Sequence, residues 1–215
     1  MIKTKEDCIK FAKAMQSCDD FYVEGKDFVA KLVQFGTGNG KGYNNIPFDP
    51  NHVGIYIGEG QGKTIEADGK KVAYHLIEDY FNNLIAGKVR IVVLRIKNIT
   101  GEQIEKKKRA IKSQLGQEYN MTVNFWFGIW GLIKKIPVIG GGLGWIASKI
   151  RNPGYKPNSP NCSIATAKAN FILPEIEKAV VNADGKPLEN RTPENLFNAC
   201  INSGKFEVVL DSLLF

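Results

Sequence analysis

The stretch that decides the fold runs from residue 52 to residue 75. It reads His52-Val-Gly-Ile-Tyr-Ile57, then Gly58-Glu-Gly-Gln-Gly62, then Lys63-Thr-Ile-Glu-Ala67, then Asp68-Gly69, then Lys71-Val-Ala-Tyr-His75. Three short runs rich in β-branched and aromatic residues alternate with glycine-bearing turn signals. That pattern predicts an antiparallel meander. Glu66 stands between Ile65 and Ala67, the polar member of an otherwise apolar strand end. In a hairpin of the first two runs it falls near the His52 end of the neighbouring strand, although a five-residue turn leaves the register open.

Outward from the meander, helical and extended segments alternate. Thr4–Ser17 reads as a helix, with Cys8, Phe11, Ala12 and Met15 at helical spacing and a capping box from Thr4 to Asp7. Phe21–Val23 reads as a short strand and Asp27–Phe35 as a second amphipathic helix. A Gly- and Asn-rich loop then fills Gly36–Asn51. Ile77–Leu84 is expected to be a short helix and Lys88–Ile96 the strongest single strand. Thr100–Leu115 is expected to be a surface helix whose basic run, Lys106, Lys107, Lys108, Arg109 and Lys112, faces solvent.

The segment Val123–Ile150 differs from the rest. It carries Phe125, Trp126, Phe127, Trp130 and Trp145, is split by Lys134 and Lys135, and is broken by Pro137 and Gly140-Gly-Gly142. Its longest uncharged run falls short of the about 18 residues a spanning helix needs. It reads as buried helices or a hydrophobic hairpin, with an apolar wall beside a site or an interfacial segment as the functional alternatives. Cys162–Leu173 is helical, Thr192-Pro193 caps and opens another helix, and Phe206–Leu210 is a last strand. The 215 residues read as one domain, 1–215, with an apolar insertion at about 123–150.

Composition excludes more than it selects. With 43% hydrophobic and 24% charged residues the chain is ordinary globular material, neither disordered nor collagen-like. The net charge of +7 permits an anionic partner. No recognition helix, zinc-finger spacing or RNA-binding signature accompanies it, so no specific nucleic acid is expected. The four cysteines, Cys8, Cys18, Cys162 and Cys200, have no CxxC spacing, and the two histidines lie far from them in sequence. No metal and no other cofactor is expected, and the thiols are read as free in a reducing compartment. The charged N-terminus has no unbroken apolar core of a signal peptide, which places the chain by default in the cytoplasm, with export by a non-classical route as the alternative.

A nucleophilic thiol must be accessible, stabilised as thiolate and within reach of a base. Cys162 follows a Pro-rich loop and opens a predicted helix, where free amides and the macrodipole favour a thiolate. The other three cysteines lie inside or at the ends of helical stretches, as small apolar residues do. His52 sits at the mouth of a strand after a polar loop. Glu66 is placed to accept the Nδ1 proton of His52 and leave Nε2 facing the thiol. His75, at the far end of the meander, has no comparable partner pattern.

Taken together these residues resemble the NlpC/P60 superfamily of papain-like cysteine hydrolases, and more narrowly its circularly permuted, YiiX/YaeF-type branch. His52–Gly58 and Thr64–Ala67 match the family's histidine strand and third-residue strand, and Cys162-Ser163 its Cys-Ser helix start. The cysteine follows the histidine, which is the permuted order. Asp20–Val23, Lys31–Thr37, Gly116–Asn120 and Thr192-Pro193 give weaker support. Asn120 replaces the family's Asp, and Asn161 and the 123–150 segment depart from its short pattern.

The resemblance implies an α+β, circularly permuted papain-like fold, with a small antiparallel sheet packed against the nucleophile-bearing helix. It implies a cysteine hydrolase with Cys162, His52 and Glu66 as catalytic residues, and Tyr119, Trp126 and Ser163 are expected to bind substrate. The expected reaction is acyl transfer through a thioester on a peptide-like amide of cell-wall type. The alternatives keep the fold. One is a lipid-directed thioesterase, amidase or acyltransferase, with an acyl substrate or an anionic membrane surface as partner; the other is a non-catalytic membrane-associating module. The oligomeric state is left open.

Overall fold

The structure is a computed structural model that describes residues 1–25, 48–58, 62–122 and 155–215. The predicted helix at 27–35, most of the loop at 36–51, and the apolar segment 123–150 with Trp126 lie outside the described residues.

The meander forms as its turn signals require. Strands β2 (His52–Tyr56), β3 (Lys63–Ala67) and β4 (Val72–Leu76) pair antiparallel in succession. Strand β1 (Asp19–Gly25) pairs with β2 on one side and with β5 (Val89–Ile96) on the other. Strand β6 (Phe206–Asp211) closes the sheet against β5, with a bulge near Val93 and Leu94. Among the described residues the result is a six-stranded antiparallel sheet in the order β4-β3-β2-β1-β5-β6.

Alternation along the strands divides the core in two. Tyr22, Val53, Ile55, Ile65, Val92 and Leu94 point into one apolar layer. That layer is completed by helices α3 (Gly101–Lys112), α4 (Cys162–Asn170), α5 (Pro174–Asp184) and α6 (Pro193–Asn202), through Ile111, Ala165, Ile176, Val180, Leu196 and Phe197. Phe21, Val23, Ile91 and Val93 point the other way, onto α1 (Lys5–Ala14) and the 3₁₀ turn Ile77–Tyr80 with α2 (Phe81–Ile85). The expected α+β architecture, a small antiparallel sheet against a cysteine-bearing helix, is what the chain adopts.

Local signals set the helix starts. Thr4, Thr100 and Thr192 each accept a backbone N–H from the third residue of the helix they cap. Two expectations fail. Helix α5 is not anticipated, although Pro174 opens it and Gly185, in the left-handed region at φ 64°, ends it. The basic face of α3 does not all meet solvent. Lys107 is fully buried, and its Nζ lies 2.6 Å from Asp20 Oδ1 and donates to the Cys18 carbonyl at 2.7 Å. Asn170 Nδ2 donates to the other Asp20 oxygen at 2.6 Å, so one buried carboxylate ties α3 and α4 to β1. Desolvation pushes the Asp20 carboxyl up, and the Lys107 charge works against that shift.

Candidate functional site

The register of β2 against β3 brings two polar side chains together. Glu66 lies opposite Gly54, two residues from His52, so His52 and Glu66 share a face of the sheet. Gly54 leaves the space between them open. A Cβ there would sit 2.6 Å from Glu66 Cγ and 2.6 Å from the Phe21 ring. Through that gap the Glu66 carboxylate crosses to His52, and Oε2 meets Nε2 at 2.7 Å. The carboxylate is held from two further sides. Thr64 Oγ1 donates to Oε1 at 2.5 Å and Tyr80 Oη donates to Oε2 at 2.6 Å.

The ring is the reverse of the expected orientation. Glu66 takes Nε2, so Nδ1 is the nitrogen left to face the neighbouring Cys162 side chain. The reason is reach. A carboxylate displaced two residues along the neighbouring strand meets the far edge of the imidazole. Burial by itself would lower the His52 pKa, but the hydrogen bonds and charges of Cys162 and Glu66 together push it up to about 10. Burial likewise opposes ionisation of Glu66, yet His52, Thr64 and Tyr80 hold its carboxyl below the ordinary value. The ring therefore carries its proton at neutral pH.

Cys162 is the first residue of α4, where unsatisfied amides point toward the chain start. Asn161 caps that helix, its Oδ1 accepting from Ile164 N at 2.9 Å. Ser163, expected at a substrate surface, is fully buried. Its hydroxyl donates to the Arg191 carbonyl at 2.5 Å and lies 3.0 Å from Asn161 Oδ1. Arg191 is itself buried and paired with Asp184 at 2.6 Å, so Ser163 ties the helix start to the segment before α6. Tyr119 packs at the margin of the apolar layer that holds Cys162, with its backbone N–H on the Lys70 carbonyl. Trp126 lies outside the described residues. His75 pairs with Asp68 at 3.2 Å, not with a cysteine.

All four thiols are free. Burial pushes the Cys8 and Cys18 thiols up, and it pushes the Cys200 thiol up strongly. Cys162 is nearly enclosed at 4% exposure, while the His52 side chain beside it is 22% exposed. Sequence reasoning missed Tyr80. It lies in the predicted short helix after the meander, and no motif links it to residue 66.

No family model and no curated protein matches the chain. A solved structure does: the crystal structure of metalloprotein yiiX from Escherichia coli O157:H7. It is 16% identical, with a TM-score of 0.53 over 91% of this chain and 96% of that one. The shared architecture is the permuted papain-like one. At this identity the likeness carries the fold and not the chemistry.

The likeness corrects the reading of the motifs. The same fold is found in a protein described as a metalloprotein, so its motif order does not identify a cysteine hydrolase. The assignments as NlpC/P60 hydrolase, thiol protease, cysteine peptidase or amidase with a catalytic triad are therefore withdrawn. So are the thioester mechanism and its lipid-directed variant. Among the described residues a metal site is not assembled in their place. Cys162 and His52 Nδ1 are two donors, whereas Glu66 lies across the ring and its oxygens already accept three hydrogen bonds. Among the described residues no group of three or more His, Cys, Asp or Glu is placed to hold a metal ion, and such sites use at least three protein ligands. What the chain shares with that structure is the fold alone.

Proposed function

We propose that Cys162, His52 and Glu66 form a reactive-thiol centre, and that the chain works by reversible addition of the Cys162 sulfur to small, soft electrophiles. Cys162 supplies the electron pair. His52 holds a proton next to it and can pass that proton to the atom that gains negative charge. Glu66 fixes the ring and balances its charge. Bond cleavage and water attack are not part of this reading. One observation carries it: His52 meets Glu66 at 2.7 Å and has the Cys162 side chain as its other neighbour, with 22% of its own side chain exposed. Four free cysteines agree with a reducing compartment, and we read the site of action as cytoplasmic.

The test is competitive labelling with iodoacetamide at pH 7 under native conditions, read by peptide mapping. Cys162 is expected to react at least about tenfold faster than Cys8, Cys18 and Cys200, which burial holds as thiols. His52→Ala is expected to remove that advantage, and His75→Ala to leave it. Equal labelling of all four cysteines, or no labelling of Cys162, overturns the proposal. Among the described residues no helix is long and apolar enough to cross a membrane.

A further inference from the structure

The Glu66 carboxylate is unusual in how its two oxygens are shared. Among the described residues Oε1 serves Thr64 alone, but Oε2 receives both His52 Nε2 at 2.7 Å and Tyr80 Oη at 2.6 Å. Two donors on one oxygen compete for the same charge. The Tyr80 ring is fixed for this role. It packs edge-on against Phe21 at 5.9 Å between centroids, and Phe21 is the ring that also borders the Gly54 gap. From this geometry we infer that Tyr80 is a positioning residue of the thiol centre, keeping Glu66 ionised and aimed at His52. The inference rests on the reactive-thiol reading of that site.

Among the described residues the groups facing Glu66 are few. His52 comes from β2, Thr64 from β3 itself and Tyr80 from the 3₁₀ turn; Cys162, from α4, lies beyond the His52 ring. Asp79, next to Tyr80, is engaged with the Leu76 amide at 3.2 Å. Burial and the Glu66 charge push the Tyr80 hydroxyl well above its ordinary range, so it remains a donor at every pH at which the protein is handled. The direction of the effect follows. A donated hydrogen bond favours the carboxylate over the carboxylic acid. Removing it raises the pH at which Glu66 takes a proton, and a protonated Glu66 no longer balances the His52 charge.

The experiment compares Tyr80→Phe with the unaltered chain. The Glu66 side-chain carboxyl carbon is followed by NMR, and the acid limb of Cys162 alkylation is followed in parallel. In the variant both are expected to move up by about one pH unit, with the melting curve little changed. A uniform loss of rate with an unmoved limb would mark Tyr80 as packing alone and overturn the inference. A second measurement needs no variant. The Tyr80 hydroxyl proton in the unaltered chain is expected as a slowly exchanging resonance close in space to the His52 Nε2 proton. A fast-exchanging hydroxyl would equally overturn the inference. If Cys162 of the unaltered chain shows no selective alkylation, the thiol-centre reading fails instead, while the Glu66 titration still reports on Tyr80.

Discussion

Changing Gly54 to Ala probes the geometry of the site at its narrowest point. The added methyl would lie 2.6 Å from Glu66 Cγ, 2.6 Å from Phe21 Cζ and 2.8 Å from Phe21 Cε1. Carbon atoms in good contact stand about 3.5–4.0 Å apart, so the overlap is on the order of 1 Å on each side. Phe21 is fully buried in the layer under α1 and cannot swing away freely. Glu66 is held by three hydrogen bonds and must give some of them up. Overpacking of this kind costs about 1–3 kcal/mol. Urea unfolding followed by circular dichroism measures the loss. The same variant must also weaken the bond from His52 to Glu66, so the His52 titration midpoint falls from about 10. A Gly54→Ala protein with unchanged stability and an unchanged His52 midpoint would refute the claim that the glycine gap lets the carboxylate reach the ring.

Other substitutions test separate links. Cys162→Ala removes one of the two partners that raise the His52 pKa, so NMR should show the ring titrating well below 10 with the fold intact. Lys107→Met strands the buried Asp20 carboxylate and should cost about 3 kcal/mol in urea unfolding, although it lies on a helix that looks solvent-facing in sequence. Asn161→Ala removes the cap of the cysteine helix; a loss of about 1 kcal/mol is expected, together with slower Cys162 alkylation as the helix start frays.

How much of this was legible in the sequence depended on distance along the chain. The Thr4, Thr100 and Thr192 caps and the turns of the meander are local devices, and each was readable from a few neighbouring residues. The pairing of His52 with Glu66 was readable because a hairpin brings together residues 14 positions apart and alternation puts both on one face. Its ring orientation was not, because the register places Glu66 opposite Gly54 and no turn signal fixes that offset. Lys107 looked like one more solvated cation because its partner, Asp20, is 87 residues away. Tyr80 carried no signal because its role depends on how the 3₁₀ turn folds back over the end of β3. The reaction itself was least legible of all. Motif order follows the scaffold, and a scaffold of this shape is also found in a protein described as a metalloprotein.

The most direct test of the central claim is the charge on one ring. In protein labelled with ¹⁵N at histidine, the Nδ1 and Nε2 shifts of His52 are followed from pH 5 to pH 11. A proton retained on both nitrogens through neutrality and released near pH 10 is the predicted result. A ring that turns neutral near its ordinary value of 6.5 would contradict the account, because the sulfur of Cys162 would then have no cation beside it.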